Sequence, residues 1–539
     1  MIPLIEHTQN WLWFLAPIFL YAEIHHRIAG IFSRYFRREP EIIADAPHRL
    51  EPGKKLPVFL CIKDAHRFPV ELLRIRVQLA ENGKQALLLD KDFCAAPIND
   101  SLWTELFYCT IPSEFSGLVN INVLVDYTIR GKMKSCINDN YALTSHAPFE
   151  VFLDPHPRPR GAGWRFGDMH THSHLTSDQV EFGAPFDVTA AMARAMALDF
   201  FATADHSYDL DDRPDSYLNN DANLPKWKLM WERIDRFNEI NRDFIIIPGE
   251  ELSAGNSKNQ NVHFLIFNNR HFFAGSGDGA EHWPRTAPQH RLDEALPQLE
   301  KKALAFAAHP LINPPFLQRL LLRRGKWDRA DYELPHLHGV QMWNGDKVHF
   351  LEHGLPKWIE LLLEGRRLTL IAGTDAHGNF NRFRQIGLPH FTMREETREI
   401  LGTALTGVYV EGEFNLTSLL DALCEGRAIV TDGPFASITF RHQNGTARIG
   451  DTVVQKKGTL RIEAQSSPSF GGMRNLLLVT GDVIAKKETQ RAIDMPLGSS
   501  SFTKNIELAD LPRPGYIRLE LRTESAPPFH CFTNPIYLI

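Results

Sequence analysis

The chain has 539 residues, 43% hydrophobic and 23% charged, which is a globular composition and too long for one ordinary core. About three domains are expected at this length. Lys plus Arg number 59 against 65 Asp plus Glu, a formal charge of -6, so no global basic field marks the chain as a nucleic-acid binder.

Residues 1–41 open with an apolar run, Trp11–Ala22, twelve residues long, where a bilayer crossing needs about 20. No basic stretch precedes it and no small-residue cleavage site follows, which argues against a secretory signal and makes the cytoplasm the expected compartment. Ile24, Ile28, Ile31, Phe32 and Tyr35 then recur at helical spacing beside Arg27, Arg34, Arg37 and Arg38. That is the pattern of an amphipathic helix, docked on the protein or resting on a membrane surface through residues 11–38.

From 42 to 155 short alternating runs such as Leu73–Leu79 and Val119–Tyr127 predict an antiparallel β-sandwich domain. The six cysteines include four in the first 140 residues, and none has a CxxC or other ligand spacing. Buried thiols are expected, with a disulfide among those four left open. The Pro- and Gly-rich segment Asp154–Gly163 reads as a linker.

Across 164–434 apolar strand-like runs alternate with helical stretches, the signature of β/α units. Trp227, Met230, Trp231, Ile234, Phe237 and Ile240 fall on one helix face and read as core. Two irregular segments, Asn268 to His290 and Pro314 to His338, fit no unit and are expected to cover a site and select its substrate. Arg319, Arg323 and Arg324 lie in the second. After Pro434 alternation returns, predicting a small β domain over 435–539.

Seven apolar runs in the central region stop at residues able to hold a metal: Arg165–His172, Asp199–His206, Phe244–Glu251, Val262–Phe267, Ala303–His309, Gly339–Asn344 and Leu368–His377. Parallel strands that end together around one mouth build an active site this way. His170 and His172, two apart on a strand, point to the same face and can share a metal. Gathering this many imidazoles and carboxylates at one mouth costs free energy unless a cation neutralises them.

In order, Asp168–His172, Thr203–His206, Pro248–Glu251, His263, His309-Pro310 and Thr374–His377 resemble the motifs of the polymerase and histidinol phosphatase (PHP) superfamily of metal-dependent hydrolases. Leu423–Pro434 and Thr533–Tyr537 are more loosely similar to its carbaryl-hydrolase branch. The resemblance implies an α/β fold, a distorted (β/α)7 barrel, here flanked by two small all-β domains. It also implies two or three divalent cations, Mn, Zn or Fe, held by His170, His172, His206, Glu251, His263, His309, Asp375 and His377. A ninth ligand is implied at Asp178, although Ser177-Asp178 arrives one residue later than the family's spacing and leaves His174 as competitor. The family's register favours Glu251 over Glu250.

The expected activity is phosphoester hydrolysis with a metal-bridging hydroxide as nucleophile. Asp168 and Asp205, each beside a ligand His, are expected to orient imidazoles. Arg382 and Arg384 are expected to hold a substrate phosphate and Asn344 to contact substrate. The expected partner is a small, phosphorylated ester. Carbamate, amide or carboxylic-ester hydrolysis at the same metals is the enzymatic alternative, and a metal-stabilised binding module the non-catalytic one.

Overall fold

The computed structural model describes residues 39–140, 146–176, 183–275, 285–387, 392–396 and 399–539. The amphipathic segment 11–38, Asp178 and the Arg384 side chain lie outside the described residues. Among the described residues no helix is long and apolar enough to cross a membrane. All six cysteines are free, with Cys61, Cys109 and Cys531 buried.

The amino-terminal region is two antiparallel-rich sheets. Glu41–Asp45, Leu56–Lys63 and Leu102–Cys109 form one. The other is built around Val70–Glu81 and Gly117–Ile129. In the latter strand Val119, Ile121, Val123, Val125, Tyr127 and Ile129 are all buried while their neighbours face outward. That period of two is what a half-buried strand requires. Phe59 meets Phe380 edge-on at 6.5 Å, joining this sandwich to the central region.

The central strands are β1 (Trp164–His172), β2 (Phe200–Thr203), β3 (Asp205–His206), β4 (Ile245–Ile247), β5 (Gly249–Gly255), β6 (Asn261–Phe267), β7 (Leu304–Ala307), β8 (Gly339–Asn344) and β9 (Thr369–Gly373). Helices α1 (Phe186–Ala195), α2 (Pro225–Ile240), α3 (Phe316–Leu321) and α4 (Leu355–Leu363) lie between some of them. Trp227, Met230, Trp231 and Ile234 of α2 are buried as its apolar stripe demands, whereas Ile240 at its end is exposed.

The expected (β/α)7 barrel does not form. Strand residues dominate, and pairing divides between a twelve-stranded sheet containing β4-β2-β1 and a six-stranded sheet ordered β3-β5-β6-β7-β8-β9 that makes half a barrel. Pro248, with no N–H to donate, sits where pairing passes from β4 to β5. β6 pairs antiparallel with both β5 and β7, so neither pair needs a crossover helix, and 256–260 is a tight connection. On its other edge β1 pairs antiparallel with Leu405–Tyr409, and the same sheet continues through Ala428–Thr431 and His530–Thr533 into the carboxy-terminal strands. The final residues are thus hydrogen-bonded into the sheet that carries His170 and His172. A four-stranded antiparallel sheet around Phe435–His442 completes this part.

The two central sheets meet at the ends of β1 and β9. Asp375 N donates to His170 O at 2.8 Å, and Thr171-His172 pairs with Ala376-His377. Gly373 is required there, because a Cβ on it would lie 2.6 Å from His170 N.

Candidate metal centre

His170, His172, His206, His309, Asp375 and His377 are delivered by the carboxyl end of a strand or the turn after it, whereas Glu251 and His263 are the third residues of β5 and β6. Nε2 of His170 and of His172 stand 3.2 Å apart, and both lie close to Asp375 Oδ1, at 3.2 and 3.0 Å. Glu251 Oε2 is 3.6 Å from His170 Nε2 and 3.0 Å from His206 Nδ1. Glu251 Oε1 is 2.9 Å from His263 Nδ1 and 3.0 Å from His309 Nε2. The His377 ring stacks on His172 at 3.9 Å, and its Nδ1 faces the Asp375 carbonyl at 2.9 Å.

The structure therefore brings seven of the nine expected ligands into three overlapping groups: His170, His172, Glu251 and Asp375; His206, Glu251 and His263; His172, His206 and His377, with His309 beside them on Glu251. Within each group the donor atoms lie within 4.8 Å of one another. Imidazole nitrogens mixed with carboxylate oxygens are donors suited to a divalent cation. Glu251 belongs to two of the groups, with Oε2 toward His170 and His206 and Oε1 toward His263 and His309. These clusters can hold a metal ion.

Burial of these ionisable groups is costly, and their opposite charges offset it. Burial alone would raise the Glu251 carboxyl, yet His263, His170 and His206 hold it well below the usual range. Burial likewise opposes ionisation of Asp375, but His170 and His172 keep it low. Burial would depress His170, and Asp375 with Glu251 overcomes this and lifts it to about 10. His172 goes the other way, held well below its ordinary value first by burial and then by His377 and His206.

Backbone strain concentrates at two of these residues. His309 has φ +27° and Asp375 φ +60°, in the left-handed region that side chains avoid, at a cost of order 1–3 kcal/mol each. Pro310 restricts His309 further.

Several expected roles are corrected by the geometry. Asp168 Oδ1 accepts from the amides of His170 (3.1 Å) and Thr374 (2.9 Å), and Oδ2 from Gly402 N at 3.1 Å, so it ties strand ends together and orients no imidazole. Asp205 accepts from Ser173 N and Oγ, Thr176 Oγ1 and Thr203 Oγ1, which fixes the turn after His172. Arg382 donates to Pro148 O and packs over Phe149, 5.4 Å from the ring centroid, against the amino-terminal sandwich. Glu250 projects to the side opposite Glu251, where Ser207 Oγ donates to it at 2.8 Å and burial lifts its carboxyl to about 8. His174 Nε2 faces Arg233 Nη1 at 2.8 Å, outside the clusters.

Of two further residues at the centre, Gln341 escaped the sequence reading and Arg324 entered it only as part of a segment expected to cover the site. Gln341 Oε1 is 2.9 Å from His170 Nδ1, and Gln341 Nε2 donates to Asn344 Oδ1 at 2.7 Å. Asn344 Nδ2 in turn reaches Asp375 Oδ2 at 3.3 Å, so Asn344 supports a candidate ligand from behind. The signal was a polar Gln inside the apolar run of β8, three residues before Asn344. Arg324 is the second, its Nη1 2.6 Å from His263 Nε2.

No family model and no curated protein matches the chain. Among solved structures it is similar at TM-score 0.19 and 8% identity to a putative beta-galactosidase from Bacteroides fragilis, covering 93% of this chain and 73% of that one. A Bacteroides uniformis beta-glucuronidase gives TM-score 0.19 at 7% identity over 92% of this chain and 60% of its own. Trypsin-activated alpha-2-macroglobulin from Escherichia coli gives 0.16 at 6%, over 93% and 23%.

Proposed function

We propose that the chain is a metal-dependent hydrolase of small phosphoric esters. One observation carries this reading: donor atoms of His170, His172, Glu251 and Asp375 converge within 4.8 Å, and Glu251 also serves His206 and His263. The resemblance of the same residues to the motifs of PHP hydrolases supports it, and points to Mn, Zn or Fe in two or three copies. Divalent cations at such a centre lower the pKa of bound water and polarise a phosphoryl oxygen.

The chain's own residues have distinct tasks in this reading. Gln341 accepts from His170 Nδ1 and so leaves Nε2 with its lone pair toward the cluster. Asp375 offers Oδ1 to the centre while Asn344 holds Oδ2. Asp168 and Asp205 keep the strand ends in register.

The test is a substrate panel after loading with Mn or Zn, comparing p-nitrophenyl phosphates with aryl carbamates. Phosphoester cleavage that is lost in His170→Ala and Asp375→Ala is expected. Carbamate cleavage alone would replace the phosphoester reading, and activity surviving both substitutions would remove the metal centre from the chemistry.

A further inference from the structure

The geometry points to Arg324 as the residue that receives the substrate's phosphoryl group, held in reserve on His263 until a cation arrives. This rests on the metal-centre reading above and names an anion receptor among the described residues, where Arg382 is turned toward the sandwich.

The segment carrying Arg324 is built against the site. Asn261, the first residue of β6, donates through N to Arg323 O (2.9 Å) and through Nδ2 to Leu322 O (2.7 Å), and accepts from Gly325 N at 2.8 Å. Trp327 Nε1 donates to the carbonyl of His263 itself at 3.0 Å. Gly325 is needed for this approach, because a Cβ there would meet Gln260 Cβ at 2.5 Å. The guanidinium is thereby delivered to Nε2 of His263, in a half-buried position beside the cluster.

Proton placement then gives the contact a consequence. A guanidinium has five N–H donors and no acceptor, and it stays charged at any relevant pH. Nε2 of His263 must therefore be the acceptor, and the ring's proton resides on Nδ1, which faces Glu251 Oε1 at 2.9 Å. A cation in the His206–Glu251–His263 group needs a lone pair on that same Nδ1. The neutral ring can supply it only by carrying its proton on Nε2, which sets N–H against N–H and a cation behind the ring against the guanidinium. Cation at Nδ1 and Arg324 at Nε2 exclude one another. A cation held by this group would leave the ring proton on Nε2 and so displace the guanidinium from His263, making its planar fork available to two oxygens of a phosphoryl group.

The experiment compares full-length wild type with Arg324→Met and Arg324→Lys by calorimetric titration, first with Mn, then with inorganic phosphate on the loaded protein. Circular dichroism checks that each variant is folded. Removing the competitor should tighten Mn binding in Arg324→Met, while phosphate affinity should fall by at least about tenfold, the scale of a lost charged hydrogen-bond pair. Lysine, a point charge without the fork, should restore phosphate binding only in part. Unchanged phosphate affinity in a folded Arg324→Met that still binds Mn would overturn the role of Arg324 and leave the metal centre standing. A wild type that binds no Mn or Zn would overturn both.

Discussion

Gln341 Oε1 lies 2.9 Å from Nδ1 of His170, both residues fully buried, so that one amide fixes the tautomer of one imidazole. Because the amide nitrogen of Gln341 is committed to Asn344, the side chain cannot flip without losing a second hydrogen bond. Partners of this kind set the basicity and aim of a ligand, and their loss costs about 10- to 100-fold in metal affinity. Gln341→Met, close in volume but without the acceptor, is expected to lose cation affinity in that range while the fold persists. Titration with Mn or Zn measures it, and an affinity equal to wild type would show that His170 is aimed by packing alone.

The ligand-bearing strand ends were legible because two local signals coincide there: an apolar run long enough for a buried strand, and a metal-type residue where the run stops. What could not be read was the pairing. Periodicity tells that Gly249–Gly255 and Asn261–Phe267 are buried strands, yet nothing local says that they pair antiparallel or that Pro248 interrupts a strand, and the barrel expectation failed on those points. Side-chain roles fared similarly. Asp205 stood beside His206 in sequence, but alternation along a strand sends such neighbours to opposite faces, while Asp168, two residues before His170, lies where the β1 register shifts and its carboxylate is taken up by the amides of His170 and Thr374. Arg324 lies in a segment expected to cover the site, but its partner was not legible, since only folding brings it to His263, sixty-one positions away.

Asp205 offers a separate test of that reassignment. Its two oxygens accept from Ser173 N at 2.6 Å, Ser173 Oγ at 2.7 Å, and Thr176 Oγ1 and Thr203 Oγ1 at 2.9 Å each, all buried. Asp205→Ala leaves four donors without their acceptor, and losses of about 1–3 kcal/mol per buried orphan group make a cost of several kcal/mol plausible in sum. A lowered melting temperature is expected together with weaker cation binding, because the turn after His172 loosens. Unchanged stability with lost activity would instead return Asp205 to a direct chemical role.

His48 links the sandwich to the turn after His377, its backbone N donating to Phe380 O at 3.0 Å with ring Nδ1 3.3 Å from the same oxygen. Burial pushes its pKa down to about 4, with Arg49 and Arg158 adding to the effect. The unfolded chain binds a proton at this position near pH 6.5, whereas the folded chain resists until about 4. The contribution to stability is therefore complete above 6.5 and is lost as pH falls toward 4, by at most about 3 kcal/mol. Melting curves at pH 7 and pH 5 should show a smaller pH-dependent drop for His48→Gln than for wild type. Parallel curves would mean that other groups govern the acid side.

Cation removal should be read in stability as well as in turnover. His170, His172 and Glu251 are all nearly inaccessible, so the folded chain alone presents their converged donors. A ligand bound only by the folded state stabilises it by about 2.7 kcal/mol at a hundredfold excess over its dissociation constant. Protein stripped with a chelator should melt at a lower temperature, and added Mn or Zn should restore it. Glu251→Gln retains the shape but removes the charge that two of the three groups share, so chelator and cation should shift its melting temperature much less than that of wild type. If the chelator-treated wild type melts no differently from the Mn-treated protein, these donors bind no cation of consequence, and their convergence must be explained by ion pairing between His170 and its two carboxylates.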